Sequence, residues 1–170
     1  MRRGYFILLA IVLVFTGCNA DISDLGDSVK ILEKNISKSG IPDGWHLMEL
    51  NDTSAYFMND IYDIFVTIEE SERLDSGGLD FDEYLENLCK IYNSGDMGKV
   101  ITSEIVEVGN KHFGLMELET IVESKIIRQL RVCILLDNKE VIVGGQNIDN
   151  SNPENLRDIL LEIALLIKNS

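Results

Sequence analysis

The residue types that most often carry out chemistry are sparse in this sequence. It has two histidines, His46 and His112, and neither stands in a His-Glu-x-x-His spacing that would hold zinc. A transition-metal site needs clustered histidine or cysteine ligands, so we interpret both histidines as half-buried strand residues. The sequence also lacks the Gly-x-Ser-x-Gly turn that presents a nucleophilic serine. We therefore predict that the protein is not an enzyme and has no cofactor.

One acidic segment has the oxygen chemistry that calcium prefers. Asp75, Asp80 and Asp82 border a glycine-rich stretch, and calcium takes carboxylate oxygens as ligands. Their spacing does not follow that of an EF-hand loop. Asp80 and Glu83 have the spacing of a helix-capping box, and Asp82 would favour the positive end of the same helix. The sequence therefore predicts helix capping rather than a metal site, with Asp75, Asp80 and Asp82 as the candidate cation ligands.

The three cysteines differ in their surroundings. Cys89 and Cys133 fall in segments with apolar patterning, where a free cysteine behaves as a small hydrophobic residue. A disulfide between them is the other possibility, and the sequence leaves both open because it does not give the distance between the two residues. Cys18 stands apart because it follows an apolar run near the start of the chain.

The segment that ends at Cys18 is organised like an export signal. A basic head, Met1-Arg2-Arg3, precedes an apolar run over residues 5–15 that is too short to span a bilayer. Phe15-Thr16-Gly17-Cys18 resembles the lipobox of bacterial lipoproteins, in which the cysteine is acylated and the preceding residues are removed. The resemblance implies a signal peptide over residues 1–17, lipidation of Cys18, and a domain anchored to a cell membrane and facing outside the cytoplasm. An ordinary signal peptide or an uncleaved membrane anchor is the alternative.

The charge of the remaining chain limits its partners. Removal of residues 1–17 leaves 153 residues, enough for one domain with a sizeable core. This part has thirteen basic and twenty-nine acidic residues, a formal charge of −16. A field of that sign repels nucleic acid and anionic lipid headgroups, so neither is expected to bind directly. Membrane attachment would therefore depend on the lipid at Cys18.

The hydrophobic pattern predicts the elements that hold these residues. Residues 18–40 are predicted to form a lipid-anchored tether with a short helix, and the turn Ile41-Pro42-Asp43-Gly44 opens a single domain over residues 41–170. A strand pattern follows over residues 45–69, with a turn at Asn59-Asp60. Asp80 then begins a helix that Asn93-Ser94-Gly95 ends. One face of this helix is apolar and comprises Phe81, Tyr84, Leu85, Leu88 and Tyr92.

An antiparallel meander is predicted between residues 100 and 148. Gly109-Asn110 is its first turn, and a long strand begins at Lys125. In that strand two sets of side chains alternate: Leu130, Val132, Ile134 and Leu136 against Gln129, Arg131 and Cys133. Gly144-Gly145 after Val143 either lets a ligand or another backbone approach closely or marks a bulge or the end of the strand, and we favour the bulge or strand end.

The terminal helix carries more apolar surface than one sheet face needs. Pro153 suits its first position, and its predicted buried stripe comprises Leu156, Ile159, Leu160, Ile163 and Ile167. Leu161 and Leu165 widen that stripe, so they either pack against the tether helix or form a partner surface. Trp45, the sole tryptophan, lies either at the edge of the core or in an exposed contact.

The order and spacing of these elements resemble the PsbP-like fold. The resemblance covers roughly residues 41–168 and includes the opening Pro42-Asp43-Gly44-Trp45 and Gly109 after the first strand that follows the helix. The extrinsic photosystem subunit PsbP, Mog-type Ran-binding proteins and bacterial DcrB-like lipoproteins share this fold. It implies an α+β domain, an α/β/α sandwich in which helices cover an antiparallel sheet. It also implies a non-enzymatic role in binding partners or assembling complexes.

Two functional hypotheses follow from these features. The first is a non-catalytic lipoprotein of the bacterial cell envelope that binds a protein partner, with Leu161, Leu165 and Trp45 as candidate contact residues. The second is a lipoprotein that binds a small ligand or a cation for uptake or sensing. A concave pocket between sheet and helix, lined by Trp45 or the tyrosines, would favour the second hypothesis.

Overall fold

The computed structural model describes residues 44–50, 54–61, 63–73, 78–95, 98–122, 124–137, 139–147 and 153–168. Along the chain, three strands precede the first helix: β1 (Trp45–Leu50), β2 (Ser54–Asn59) and β3 (Ile64–Glu72). Helix α1 (Phe81–Ser94) is followed by β4 (Lys99–Val108), β5 (Lys111–Val122), β6 (Lys125–Leu135), β7 (Lys139–Asn147) and helix α2 (Pro153–Lys168). The predicted signal peptide over 1–17, lipidation at Cys18 and the tether over 18–40 lie outside the described residues.

The strands form one antiparallel sheet in the order β1-β2-β3-β7-β6-β5-β4. Strand β7 lies between β3 and β6, so the last strand joins the first three strands to the β4–β5–β6 meander. The predicted turns at Asn59-Asp60 and Gly109-Asn110 are confirmed, and Gly109 has a φ of 64°, a value that favours glycine. The predicted α+β fold class, an antiparallel sheet covered by helices, is confirmed.

Helix α2 covers one face of the sheet and α1 covers part of the other. The alternation predicted for β6 decides which side chain meets which helix. Val132 and Ile134 belong to the core under α2, whereas Cys133 belongs to the core under α1. The predicted stripe of α2 is fully buried: Leu156, Ile159, Leu160, Ile163 and Ile167. The sandwich therefore has a separate apolar core on each face of the sheet.

Helix α1 begins and ends where the sequence predicts. The Asp80 carboxylate accepts a hydrogen bond from the backbone N–H of Glu83 at 2.9 Å, which caps the amino end. Leu79 before the cap and Tyr84 in the first turn pack in the same apolar cluster, as a hydrophobic staple requires. At the other end, the Gly95 backbone N–H donates to the carbonyl of Ile91 at 3.2 Å.

For Gly144-Gly145 the favoured interpretation, a bulge or the end of the strand, is wrong, and the alternative of close approach by another segment fits the structure. Strand β7 continues through both glycines to Asn147, with Gly144 opposite Thr67 and Gly145 opposite Val66 in an unbroken register. The glycines mark close packing instead. A Cβ atom at Gly145 would lie 2.9 Å from methyl carbons of Leu156 and Leu160, so the missing side chain lets α2 approach the sheet.

Candidate binding surface and cleft

The β5–β6 hairpin extends past the strands on either side of it. The β6–β7 pairing stops at Leu130 opposite Gly145, and the β4–β5 pairing stops at Lys99 opposite Glu119. The β5–β6 ladder continues to Val122 opposite Lys125. We call residues 120–122 and 125–129 the outer hairpin. Within the described part of the chain the backbone ladders of β4 and β7 do not extend along it, so it projects from the sheet.

The outer hairpin carries an exposed apolar pair. Ile121 of β5 lies directly opposite Ile126 of β6, and their exposed fractions are 75% and 60%. Directly opposed residues of an antiparallel pair point to the same side, so the two side chains form one apolar spot. Exposed apolar side chains that adjoin each other on a projecting hairpin are typical of interaction sites.

A cleft of about 530 Å³ lies beside this hairpin. It opens where β6 separates from β7, on the sheet face that α2 covers, and Leu156 from the first turns of α2 forms part of its wall. Leu130, Leu156 and Ile126 supply apolar lining. The charged and polar groups are those of Glu117, Glu119, Arg128, Gln129 and Asn147. Its volume falls within the range that small-molecule pockets usually have.

The polar groups of the cleft differ in how well they are satisfied. Arg128 holds Glu119, with Nε and Nη2 each 3.0 Å from Oε1. Asn147 is only 7% exposed, and its Oδ1 has no hydrogen-bond partner among the described residues. A buried polar atom without a partner is uncommon in folded proteins and calls for an explanation.

Leu161 and Leu165, the predicted partner residues, are half-buried and pack against the core under α2. Contacts to the β4–β5 hairpin flank them along the helix. Arg157, one turn earlier, lies 3.0 Å from Glu104 of β4, and the Lys168 ammonium donates to the carbonyl of His112 at 2.9 Å. Their packing gives both leucines a structural role, and their role in partner binding stays a prediction.

Trp45, the third predicted contact residue, is half-buried at the start of β1 and packs against the same core. Its indole Nε1 is buried and has no hydrogen-bond partner within the described ranges. This agrees with the core-edge interpretation of the residue. It does not lie in the cleft beside the outer hairpin, so the structure does not bring the predicted contact residues together with the exposed isoleucine pair.

The candidate cation ligands are not brought together among the described residues. Asp80 caps α1, Asp82 is exposed in the first turn of that helix, and Asp75 lies outside the described ranges. No group of three or more histidine, cysteine, aspartate or glutamate side chains that could hold a metal ion occurs in the described part of the chain. Both histidines lie in strands as predicted, but they are exposed rather than half-buried. His46 Nε2 lies 2.9 Å from Asp60 Oδ2.

The two cysteines outside the signal segment are free thiols. Cys133 is buried under α1 and Cys89 packs against the same cluster. Burial raises the pKa of the Cys133 thiol well above its ordinary value of 9.0. A thiol nucleophile acts as the thiolate, so Cys133 has the properties of a structural residue rather than a reactive one.

A buried polar network lies between α1 and the sheet. Arg131 of β6 is 4% exposed, and its Nη1 donates to the Tyr92 hydroxyl at 2.7 Å while the guanidinium stacks on that ring. The Tyr84 hydroxyl donates to the carboxylate of Glu140, which also accepts from Ser71. Burial raises the pKa of Tyr92 above 10.0, so its hydroxyl stays protonated at neutral pH. This network joins α1 to the sheet.

Comparison with known proteins gives likenesses of fold alone. The chain is similar to the solution structure of cyanobacterial PsbP (CyanoP) from Synechocystis sp. PCC 6803, with 15% identity, a TM-score of 0.47, and coverage of 76% of this chain and 81% of that chain. A crystal structure from Bacteroides thetaiotaomicron VPI-5482 is similar over 62% of this chain and 36% of its own length, with 14% identity and a TM-score of 0.44. No protein-family model and no curated protein matches the chain.

Sequence reasoning missed the outer hairpin and the cleft. Ile121 lies within the predicted meander over residues 100–148, and its pattern there does not single it out as a site residue. Asn147 lies beyond the two glycines that were interpreted as a bulge or as the end of the last strand. One sequence pattern could have revealed the outer hairpin. Alternate residues of a strand share a face, so one face of β5 continues into the outer hairpin through Leu115, Glu117, Glu119 and Ile121.

Proposed function

We propose that this protein is a non-catalytic accessory lipoprotein of the bacterial cell envelope. In this proposal the chain is exported, acylated at Cys18 and anchored to a cell membrane, and its α+β domain binds a protein partner outside the cytoplasm. The basic head, apolar run and lipobox-like Phe15-Thr16-Gly17-Cys18 support the anchoring. In the described ranges no helix is long and apolar enough to cross a bilayer.

The exposed isoleucine pair carries the partner-binding part of the proposal. Two large apolar side chains lie directly opposite each other at 75% and 60% exposure, and adjoining exposed apolar groups of this kind mark interaction sites. The partner surface that fits them is an apolar groove with a basic rim. Glu117 and Glu119 lie on the same face of β5, and the chain as a whole has a formal charge of −14, so a basic rim would complement both.

Site-specific photo-crosslinking tests this proposal in native membranes. The full-length tagged chain would carry a benzophenone amino acid at Ile126, and a matched control would carry it at Ile91, which is 41% exposed on α1. We expect one protein to be crosslinked from position 126 and not from position 91. Equal crosslinking from both positions, or none from 126, would contradict the proposal.

A second control tests membrane anchoring through Cys18 separately from partner binding through the outer hairpin. Cys18→Ala removes the acylated thiol and leaves the domain unchanged. We expect the intact mass of the unaltered chain to include acyl groups, and we expect Cys18→Ala to lose both these groups and its membrane association. An unmodified Cys18 would contradict the lipoprotein part of the proposal and leave the crosslinking result to be judged separately.

A further inference from the structure

The cleft beside the outer hairpin exists because β6 leaves the sheet early. Pairing with β7 ends at Leu130 opposite Gly145, yet β7 continues to Asn147 along β3. The space between the diverging strands is closed on one side by Leu156, which α2 presses toward Gly145. The cleft is therefore a product of strand register and helix packing, and its walls belong to elements that pack in the core.

The most buried polar side chain that lines the cleft, Asn147, has no hydrogen-bond donor for its Oδ1 among the described residues. Asn147 is more than nine-tenths buried, and its Oδ1 accepts no hydrogen bond from any described residue. A buried oxygen that accepts no hydrogen bond raises the free energy of the folded state. A bound group that donates a hydrogen bond to this oxygen would remove that penalty. The unmet requirement at this position is therefore a hydrogen-bond donor.

The charges that line the cleft determine whether a cationic, neutral or anionic hydrogen-bond donor fits it. Glu119 is already neutralised by Arg128, at 3.0 Å through two nitrogens. Glu117, two residues earlier on the same face of β5, makes no ion pair with a described residue. Among the described residues, the cleft thus presents one carboxylate without an ion pair and one amide oxygen without a hydrogen bond, beside apolar carbon of Leu130 and Leu156. Anions are disfavoured by this arrangement, and a cation with N–H donors is favoured.

We propose that this cleft binds an aliphatic ammonium or guanidinium group. The cationic nitrogen donates hydrogen bonds to Asn147 Oδ1 and to the carboxylate of Glu117. The attached carbon chain covers Leu130 and Leu156. The group belongs either to a free amine or to a lysine or arginine side chain of a protein. This inference goes beyond the proposed function because it assigns a ligand to the cleft, and binding of that ligand can be measured without the protein partner.

Titration of the full-length chain in detergent micelles tests the proposal by two-dimensional NMR. The probes are n-butylammonium and n-butylguanidinium, with n-butanol and butyrate as neutral and anionic controls of similar size. We expect the two cations to shift the amide signals of Glu117, Leu130, Asn147 and Leu156, and we expect the controls to bind at least tenfold more weakly. Equal binding of butanol or butyrate would overturn the proposal.

Three substitutions assign the contacts. Glu117→Gln keeps the shape of the side chain and removes its charge, so we expect at least a tenfold loss of affinity for n-butylammonium. Asn147→Asp keeps an acceptor oxygen and should bind the cation at least as tightly as the unaltered chain. Glu107→Gln is the matched control, an exposed carboxylate on β4 that does not line the cleft. Unchanged affinity in Glu117→Gln, or a loss in Glu107→Gln of the same size, would overturn the proposal.

A further probe separates the two sources of the cation. N-acetyl-Ala-Lys-Ala-amide presents the same ammonium on a peptide backbone. Binding at least tenfold tighter than that of n-butylammonium would support the proposal with a basic side chain as the source. Equal or weaker peptide binding would support it with a free amine as the source. Failure of the peptide and of both free cations to bind would overturn it, and would leave crosslinking through Ile126 as an independent question.

Discussion

Strands β5 and β6 form two regions with opposite character within one hairpin. The inner hairpin, residues 113–118 and 130–134, lies between β4 and β7 and under both helices, and most of its side chains are buried. The outer hairpin, residues 120–122 and 125–129, has the same antiparallel pairing but no flanking strand among the described elements. Its paired isoleucines are exposed.

This contrast separates residues that the fold needs from residues that it does not. Every apolar side chain of the inner hairpin meets one of two cores, so its burial explains its presence. Ile121 and Ile126 meet neither core. Burial in a core therefore does not explain their apolar character, which is why we propose that they bind a partner.

The largest expected effect comes from the inner hairpin. Ile134 is fully buried, so Ile134→Ala should lower the free energy of unfolding by about 2–5 kcal/mol through lost burial and a cavity. Ile126→Ala, the same change in the same strand, should alter it by less than about 0.5 kcal/mol. Urea denaturation of both variants measures the two values. A large decrease in the free energy of unfolding of Ile126→Ala would show that the outer hairpin contributes to stability as the inner hairpin does.

The buried network should give the next effect. Tyr92→Phe removes the hydroxyl that accepts from Arg131 and leaves a buried guanidinium N–H without that partner. We expect a loss of about 1.5–3 kcal/mol at pH 7, measured by urea denaturation. An unchanged midpoint would show that the bond between α1 and the inner hairpin does not contribute to stability.

The same variant predicts a pH dependence. Burial raises the pKa of Tyr92 above its ordinary 10.0, so the folded chain holds this proton more tightly than the unfolded chain. The stabilisation is fully present below about pH 10 and is lost as pH rises through the folded-state pKa. The stability difference between the unaltered chain and Tyr92→Phe should therefore narrow above about pH 10. A difference that widens there would contradict this sign.

A smaller effect is expected where α2 meets the sheet. Gly145→Ala places a Cβ atom 2.9 Å from Leu156 and Leu160, which must then shift. We expect a loss of about 1 kcal/mol, together with changed NMR signals for cleft residues because Leu156 lines the cleft. Gly95→Ala is the control, because Gly95 is exposed and its φ of −101° suits any residue. Equal effects of the two changes would argue against tight packing at Gly145.

Local patterns in the sequence were sufficient to predict most elements. The cap at Asp80, the turn at Gly109-Asn110 and the stripe of α2 each depend on residues close together in the chain. The alternation along β6 also predicted which side chains share a face, because strand side chains alternate with period two. Such features follow from backbone geometry and burial within one element.

The cleft and the apolar pair depend on contacts between distant segments. The exposure of Ile126 follows from where β6 leaves β7, and that point is set by the register of three strands and by α2 over Gly145. Glycines give no side-chain pattern, so the end of β7 was misplaced and Asn147 was not predicted to lie in a site. Leu161 and Leu165 were singled out for an apolar excess that packing against the core accounts for in part.

One double variant tests the central claim most directly. Ile121→Thr with Ile126→Thr keeps β-branched side chains that favour strands and removes the apolar spot. Thermal unfolding and partner crosslinking would be measured on the same full-length sample, beside Ile91→Thr as control. We predict an unchanged unfolding midpoint and loss of the crosslinked partner in the double variant alone. A lowered midpoint, or a partner retained at full yield, would contradict the assignment of the outer hairpin to binding.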